Sequence, residues 1–315
     1  MDARTGTSLL RAPAPILVIP MYARAGAAML VLVALTGCAA RSAGTTADRT
    51  ALETFITKVR QLSLEARPAR QSNAATIEAT DPGLLAARLL LEQAPTAEHH
   101  RLVAASYVRL GVFDAAYDHF SAALRLDPRD SASLDGLARI WRDWGFPQRG
   151  LGDAYRAIGL APNAPAPRNT LGTLLVGLGQ PAAARVAFER ALTLDPGASY
   201  ALNNLCYTAL LEGDASRAVA RCRAALDVDP NLKTARNNLA LAYAAAGDFT
   251  AASREFRVSG DAVAERYNMG VALFATGHYQ EASVAFDQAA ALRPWLTLAR
   301  QRAQQARDLA AAGTP

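Results

Sequence analysis

Leu126-Asp127-Pro128, Leu160-Ala161-Pro162, Leu194-Asp195-Pro196 and Val228-Asp229-Pro230 are one signal written four times, each proline 34 residues after the last. A glycine stands 17 residues before each of these prolines (Gly111, Gly145, Gly179, Gly213), and an alanine five before (Ala123, Ala157, Ala191, Ala225). A fixed period of this size is the mark of stacked supersecondary units, not of one closed core. Proline cannot continue a helix, and glycine takes left-handed conformations at low cost. Each period therefore reads as helix, glycine turn, helix, proline stop. Leu292-Arg293-Pro294 ends a further unit, but 64 residues after Pro230 rather than 68. Four residues are missing near Ser259-Gly260, where a short turn or a local change in the stack is expected.

With the proline at position 32, the first repeat places Tyr107, Gly111, Phe113, Ala116, Phe120, Ala123 and Pro128 at positions 11, 15, 17, 20, 24, 27 and 32. The second keeps Trp141, Gly145, Ala157 and Pro162 but has Pro147 at 17 and Gly150 at 20. The third has Gly172, Gly179, Ala184, Phe188 and Ala191. The fourth keeps Gly213, Ala218 and Ala225. The fifth has Tyr243, Gly247, Phe249, Ala252 and Phe256. The sixth has Gly270, Gly277, Tyr279, Ala282, Phe286 and Ala289. This pattern resembles the tetratricopeptide repeat (TPR) family over about Ala97 to Pro294. The resemblance implies an all-α, right-handed TPR α-solenoid of about six helix hairpins. Small residues at 8, 20 and 27 would let paired helices approach, and aromatics at 11, 17 and 24 would fill the space between pairs.

The expected organisation is a leader over 1–37, a lipidated N-terminus, tether and further helix over 38–80, and the solenoid over 81–314. Its repeats fall near 97–130, 131–164, 165–198, 199–232, 233–262 and 263–296, with a cap at 296–312. Leu296 to Ala312 reads as an amphipathic capping helix with a charged outer face. Asp81 to Gln93 reads as a helix covering the other end. Ala47 to Arg67 reads as one more helix, ended by Pro68.

Residues 21–38 run from Met21 through Arg24 and an apolar stretch, Ala25 to Leu35, to Cys38. That is the layout of a secretory signal, and the stretch falls short of the about 20 apolar residues a spanning helix needs. Residues 1–20 fit poorly in a signal, so Met21 is a candidate start. Leu35-Thr36-Gly37-Cys38 resembles the bacterial lipobox. The resemblance implies cleavage before Cys38, lipidation there, and, with Ala39 following, sorting to the periplasmic face of the outer membrane. A plain signal peptide or an uncleaved anchor are the alternatives. Several acyl chains on one residue give stable attachment.

The formal charge is +5, and removing the leader, with Arg4, Arg11 and Arg24 against Asp2, leaves the rest near +3. That mild, scattered charge does not point to nucleic acid. Setting Cys38 aside, Cys206 and Cys222 occupy positions 8 and 24 of repeat four, on facing sides of a helix pair. They are either a disulfide suited to an oxidising compartment or two buried thiols. Catalytic motifs are absent: there is no HExxH, no phosphate loop and no GxSxG. His99 and His100 point about 100° apart on a helix, with no ligand set to complete a metal site. Asp135, Arg139, Arg142 and Asp143 read as a salt-bridged helix face. Neither a cofactor nor an enzymatic activity is expected.

In TPR proteins the first helix of each pair lines a concave groove, mainly through positions 2, 5, 9, 12 and 13. Carried over, position 5 reads Arg101, Asp135, Asn169, Asn203, Asn237 and Tyr267. The three asparagines each offer a donor and an acceptor to an extended peptide; ordinary solvated asparagines are the alternative. Asn204, Asn238 and Asn268 follow the family preference for Asn at position 6 and read as structural. Thr173, Tyr200, Tyr207, Leu241, Val271 and Phe274 lie nearby, the aromatics as candidate anchors for a peptide or partner helix. Positions 2, 5 and 9 of the later repeats lack Lys and Arg, unlike a basic clamp for a C-terminal carboxylate.

A lipobox followed by such repeats resembles the TadD-like and PilF-like lipoproteins of pilus and secretion assembly. The resemblance implies a non-enzymatic scaffold on the outer membrane, holding protein or peptide partners of the cell envelope. An adaptor regulating a peptidoglycan or outer-membrane assembly enzyme is the alternative.

Overall fold

A computed structural model describes residues 81–313 and Lys58. The described residues form helices joined by short turns. They are α1 (Pro82–Gln93), α2 (Ala97–Leu110), α3 (Phe113–Leu126), α4 (Ser131–Asp143), α5 (Pro147–Leu160), α6 (Pro165–Gly177) and α7 (Pro181–Leu194). They continue with α8 (Ser199–Leu211), α9 (Ala215–Val228), α10 (Lys233–Ala245), α11 (Phe249–Ser259), α12 (Ala262–Ala275), α13 (Tyr279–Leu292) and α14 (Thr297–Ala311). The chain is an all-α solenoid. Helices α2 to α13 are six hairpins, and α1 and α14 cover the ends; α1 starts one residue after the expected Asp81 and ends at Gln93, and α14 is one residue inside its expected bounds at each end. The segments expected over 1–80, the leader, Cys38 and the helix over Ala47–Arg67 among them, lie outside the described residues, Lys58 excepted.

The ladder residues explain the turns. The glycine at position 15 has φ between 72° and 87° in all six hairpins (Gly111, Gly145, Gly179, Gly213, Gly247, Gly277), a region most side chains avoid. At the proline stop, the aspartate before the proline accepts a hydrogen bond from the N–H two residues on. The pairs are Asp127 with Arg129, Asp195 with Gly197, and Asp229 with Asn231, at 2.9–3.0 Å. This closes an Asx turn around a residue that cannot donate. Several helices then start on a side-chain cap: Thr96, Asp130, Asp214, Asp248 and Asp261 each accept from the first turn. Asp81 caps α1 and also binds Arg109 of α2 through two contacts of 2.6 and 2.9 Å, which locks the end helix to the first hairpin. That guanidinium holds the Asp81 carboxyl at about 2.

Positions 8 and 24 set the spacing within a hairpin. In repeats three and six they pair glycine with phenylalanine: a Cβ on Gly172 would come within 2.4 Å of the Phe188 ring, and one on Gly270 within 2.7 Å of Phe286. Repeat four lacks the ring, and Cys206 and Cys222 fill the space as a disulfide, with Cα atoms 5.1 Å apart and both residues fully buried. Repeat two has neither ring nor sulfur. The buried residues of α5 are Pro147, Gly150, Ala154 and Ala157.

The missing residues come from the end of hairpin five: α11 has 11 residues where the second helices of the other hairpins have 14, the link to the next helix is Gly260-Asp261 instead of four residues, and α12 starts one residue ahead of the period. The chain leaves α11 in extended form at Gly260, and Asp261 starts α12 at once. Asp261 also receives Arg293 at 3.0 Å, so the side chain before the last proline bonds across hairpin six rather than closing its own turn.

Candidate functional site

The first helices of the hairpins, α2, α4, α6, α8, α10 and α12, carry the expected groove positions. Position 5 forms a connected ladder. Asn204 Nδ2 donates to Asn169 Oδ1 at 2.8 Å, and Asn238 Nδ2 donates to Asn203 Oδ1 at 2.9 Å. Each position-5 carbonyl is thus taken by the position-6 amide of the next hairpin. The third rung differs: Ser259 Oγ, at the end of the shortened α11, donates to Asn237 Oδ1 at 2.5 Å. The residue expected there by period, Asn268, has its Oδ1 buried without a hydrogen-bond partner. The position-5 asparagines are therefore bonded within the stack through their acceptors, and Asn203 and Asn237 are buried while Asn169 is half-buried. The signal for this lay in the doublets Asn203-Asn204 and Asn237-Asn238. Their pairing depends on the relative phase of neighbouring helices, which sequence alone does not give.

Burial changes along the groove. At position 9, Ala105 and Arg139 are exposed and Thr173 is half-buried, while Tyr207, Leu241 and Val271 are 3%, 0% and 1% exposed. Position 2 runs from exposed Glu98 to Tyr200 at 38% exposure, then to buried Ala264. Of the aromatics singled out from sequence, Tyr200 presents surface. Tyr207, Tyr267 and Phe274 belong to the main hydrophobic core. Tyr267 packs edge-on against Phe286, and its hydroxyl is buried without a hydrogen-bond partner. Burial pushes that hydroxyl well above the ordinary tyrosine range. Phe274 stacks edge-on with Tyr279 at 5.2 Å.

The N-terminal half of the groove is polar. Arg101 reaches Asp130 at 3.2 Å, and Arg142 binds both Asp143, at 2.7 Å, and Thr173, at 3.1 Å. Asp135 is buried, with Oδ1 unpartnered. Burial raises its pKa, against the lowering effect of Thr170, Arg139 and Arg142. The cluster read from sequence is thus only partly ion-paired. His100, instead of joining His99, meets His119 of α3, Nδ1 to Nδ1 at 3.0 Å. Among the described residues there is no group of three or more metal-ligating side chains, and no helix is long and apolar enough to cross a membrane.

Residues 169–232 match the tetratricopeptide repeat family. That span begins in α6 and ends after α9, where the ladder is most regular. Among solved structures the chain is similar to the APC/C hetero-tetramer Cut9-Hcn1, with a TM-score of 0.61 and 18% identity over 82% of this chain. It spans about half, 54%, of that chain. It is also similar to PilW, described as a widely conserved type IV pilus biogenesis factor, with a TM-score of 0.55 and 22% identity over 63% of this chain and 94% of that one. At these identities the likenesses show the fold. No curated protein matches. A TPR-like solenoid groove of this kind supports protein or peptide partners in general.

Proposed function

We propose that this chain is a non-enzymatic scaffold, lipid-anchored through Cys38 to the periplasmic face of the outer membrane, that holds protein partners during assembly of an envelope machine such as a pilus or secretion system. The observation that carries the reading is the order of parts: a lipobox, Leu35 to Cys38, followed by a TPR-like solenoid. The buried Cys206–Cys222 disulfide agrees with an oxidising compartment, because cytosolic thiols are kept reduced. The fold shared with PilW, a pilus biogenesis factor, favours assembly work, but fold alone does not fix a machine. The solvent-exposed Tyr200 and the half-buried Asn169 and Thr173 supply groove contacts for an extended segment.

The test is fractionation and in-cell crosslinking. Wild-type chain is expected in the outer membrane with acyl groups on Cys38, and Cys38→Ala is expected to leave it, either released to the soluble periplasm or held by an uncleaved signal. Normal cleavage and outer-membrane fractionation of Cys38→Ala would overturn the anchor. Crosslinked partners drawn from pilus or secretion components would support the machine; cell-wall enzymes alone would replace it with an adaptor of such an enzyme.

A further inference from the structure

The groove is open at one end and closed at the other, although the same helix positions line both. Ala105, the smallest of the position-9 side chains, is exposed, while Leu241 and Val271 are not. Tyr207, Leu241 and Val271 join one continuous buried cluster, whereas the position-9 residues of the first two hairpins join none. The one described residue outside the solenoid lies at the closed end. Lys58 is helical, its Nζ is 3.2 Å from the Tyr279 hydroxyl, and it stands 5.6 Å from the centre of that ring. Tyr279 packs on Phe274, a groove residue of the last hairpin. A residue 24 positions before α1 in sequence thus sits at the opposite end of the stack from α1.

We propose that the segment around Lys58 docks in the concave groove of the last three hairpins of its own chain, as an internal occupant that a partner has to displace. The sequence suits this. Leu52, Phe55, Ile56, Val59 and Leu62 recur at helical spacing and give one apolar stripe, with Lys58 on its flank. The groove positions of these hairpins carry the apolar Tyr207, Leu241, Val271 and Phe274, and the Tyr279 hydroxyl and ring meet the ammonium. The chain is long enough. The residues between Lys58 and Asp81 reach about 75 Å when extended. Five hairpin steps at about 10 Å each need about 50 Å. The segment also follows the tether that starts at Cys38, so displacement would free chain between membrane and solenoid. The inference shares with the proposed function the premise that the groove is the working face, and it does not depend on lipidation.

The test uses the full chain in cells, with a photoreactive benzophenone side chain at position 58. Irradiation is expected to give an intrachain crosslink, mapped by mass spectrometry to peptides of α12 and α13 carrying Phe274 or Tyr279. Crosslinks to other chains alone, or to no part of the groove, would overturn the proposal. A second measurement places a protease site within residues 68–80 of the full chain. After cutting, the N-terminal piece is expected to co-elute with the solenoid, and Lys58→Glu to lower the retained fraction several-fold. Immediate loss of the piece from a still-folded wild-type solenoid would also overturn it. Because Cys38→Ala leaves both readouts intact, this proposal and the lipid anchor can fail separately.

Discussion

Asparagines at position 5 are the residues on which the sequence pattern and the geometry diverge most. A recurring amide on a presumed binding face invites a ligand role, yet Asn169, Asn203 and Asn237 each give their acceptor to a neighbouring element. Asn203 and Asn237 are also buried. A net hydrogen bond of this kind contributes about 1 kcal/mol, and leaving the partner amide unsatisfied costs about 1–3 kcal/mol. Asn203→Ala strands Asn238 and is expected to destabilise the chain by about 1–3 kcal/mol, read as a shift in denaturant midpoint without change in slope. The double variant Asn203→Ala with Asn238→Ala is expected to recover part of that loss, since no buried amide is then left alone. Additive losses in the double variant would show that the pair is not coupled. Asn169, which is less buried, is the better position at which to read partner binding apart from stability.

Single elements carry the breaks in the pattern. The loss of four residues was legible as a spacing of 64 rather than 68; which helix gave them up was not, because either side of the turn could shorten. The structure takes them from α11 and the link after it, and Ser259 then bonds the Asn237 carbonyl that the period would have given to the Asn268 amide. In the first hairpin, α2 and α3 are joined at one end by the His100–His119 contact, with Tyr107 stacked 5.7 Å from the His119 ring. Burial lowers both histidine pKa values; Arg125 adds to this at His100, and His100 and Arg88 at His119, against Asp118. Above the ordinary histidine value of about 6.5 both rings are neutral in either state and the pair makes no pH-dependent contribution. As pH falls below that, the unfolded chain takes up protons first, so stability drops until the folded values are passed. Acidification from pH 7 to 5 is expected to lower the melting temperature of wild type more than that of His119→Gln. Equal losses in the two proteins would remove the pair as the cause. Asp81 does not contribute in this window, since Arg109 holds it ionised to about 2. The hairpins, their glycine turns and the 8–24 pairing were readable because each depends on residues within one period. The His100–His119 contact was not readable, because it joins two helices whose relative phase the repeat pattern does not give.

Across the whole molecule the core is not uniform. One hydrophobic cluster joins α1 to α4 through Leu84, Val103, Tyr107, Phe120 and Ile140. A far larger one runs from α6 to α14, held in part by Phe188, Phe256 and Phe286. Between them lies α5, whose buried face is made of small residues, and a minor cluster of Ala138, Ala154 and Leu174. In a stack where each unit touches only its neighbours, stability is a sum of unit and interface contributions, so a poorly filled interface is where cooperativity gives way. The disulfide lies wholly inside the larger block and closes a short loop, a constraint worth about 3 kcal/mol in chain-entropy bookkeeping. Native-state hydrogen exchange is therefore expected to show α1 to α5 opening at lower free energy than α8 to α12. Reduction is expected to narrow that difference by lowering the second block and leaving the first unchanged. If both blocks instead open together at one free energy, oxidised and reduced, then α5 transmits stability as well as any other hairpin. The open N-terminal groove and the closed C-terminal groove would then sit on a single cooperative unit, and displacing the segment around Lys58 would have to loosen the whole stack rather than its last three hairpins.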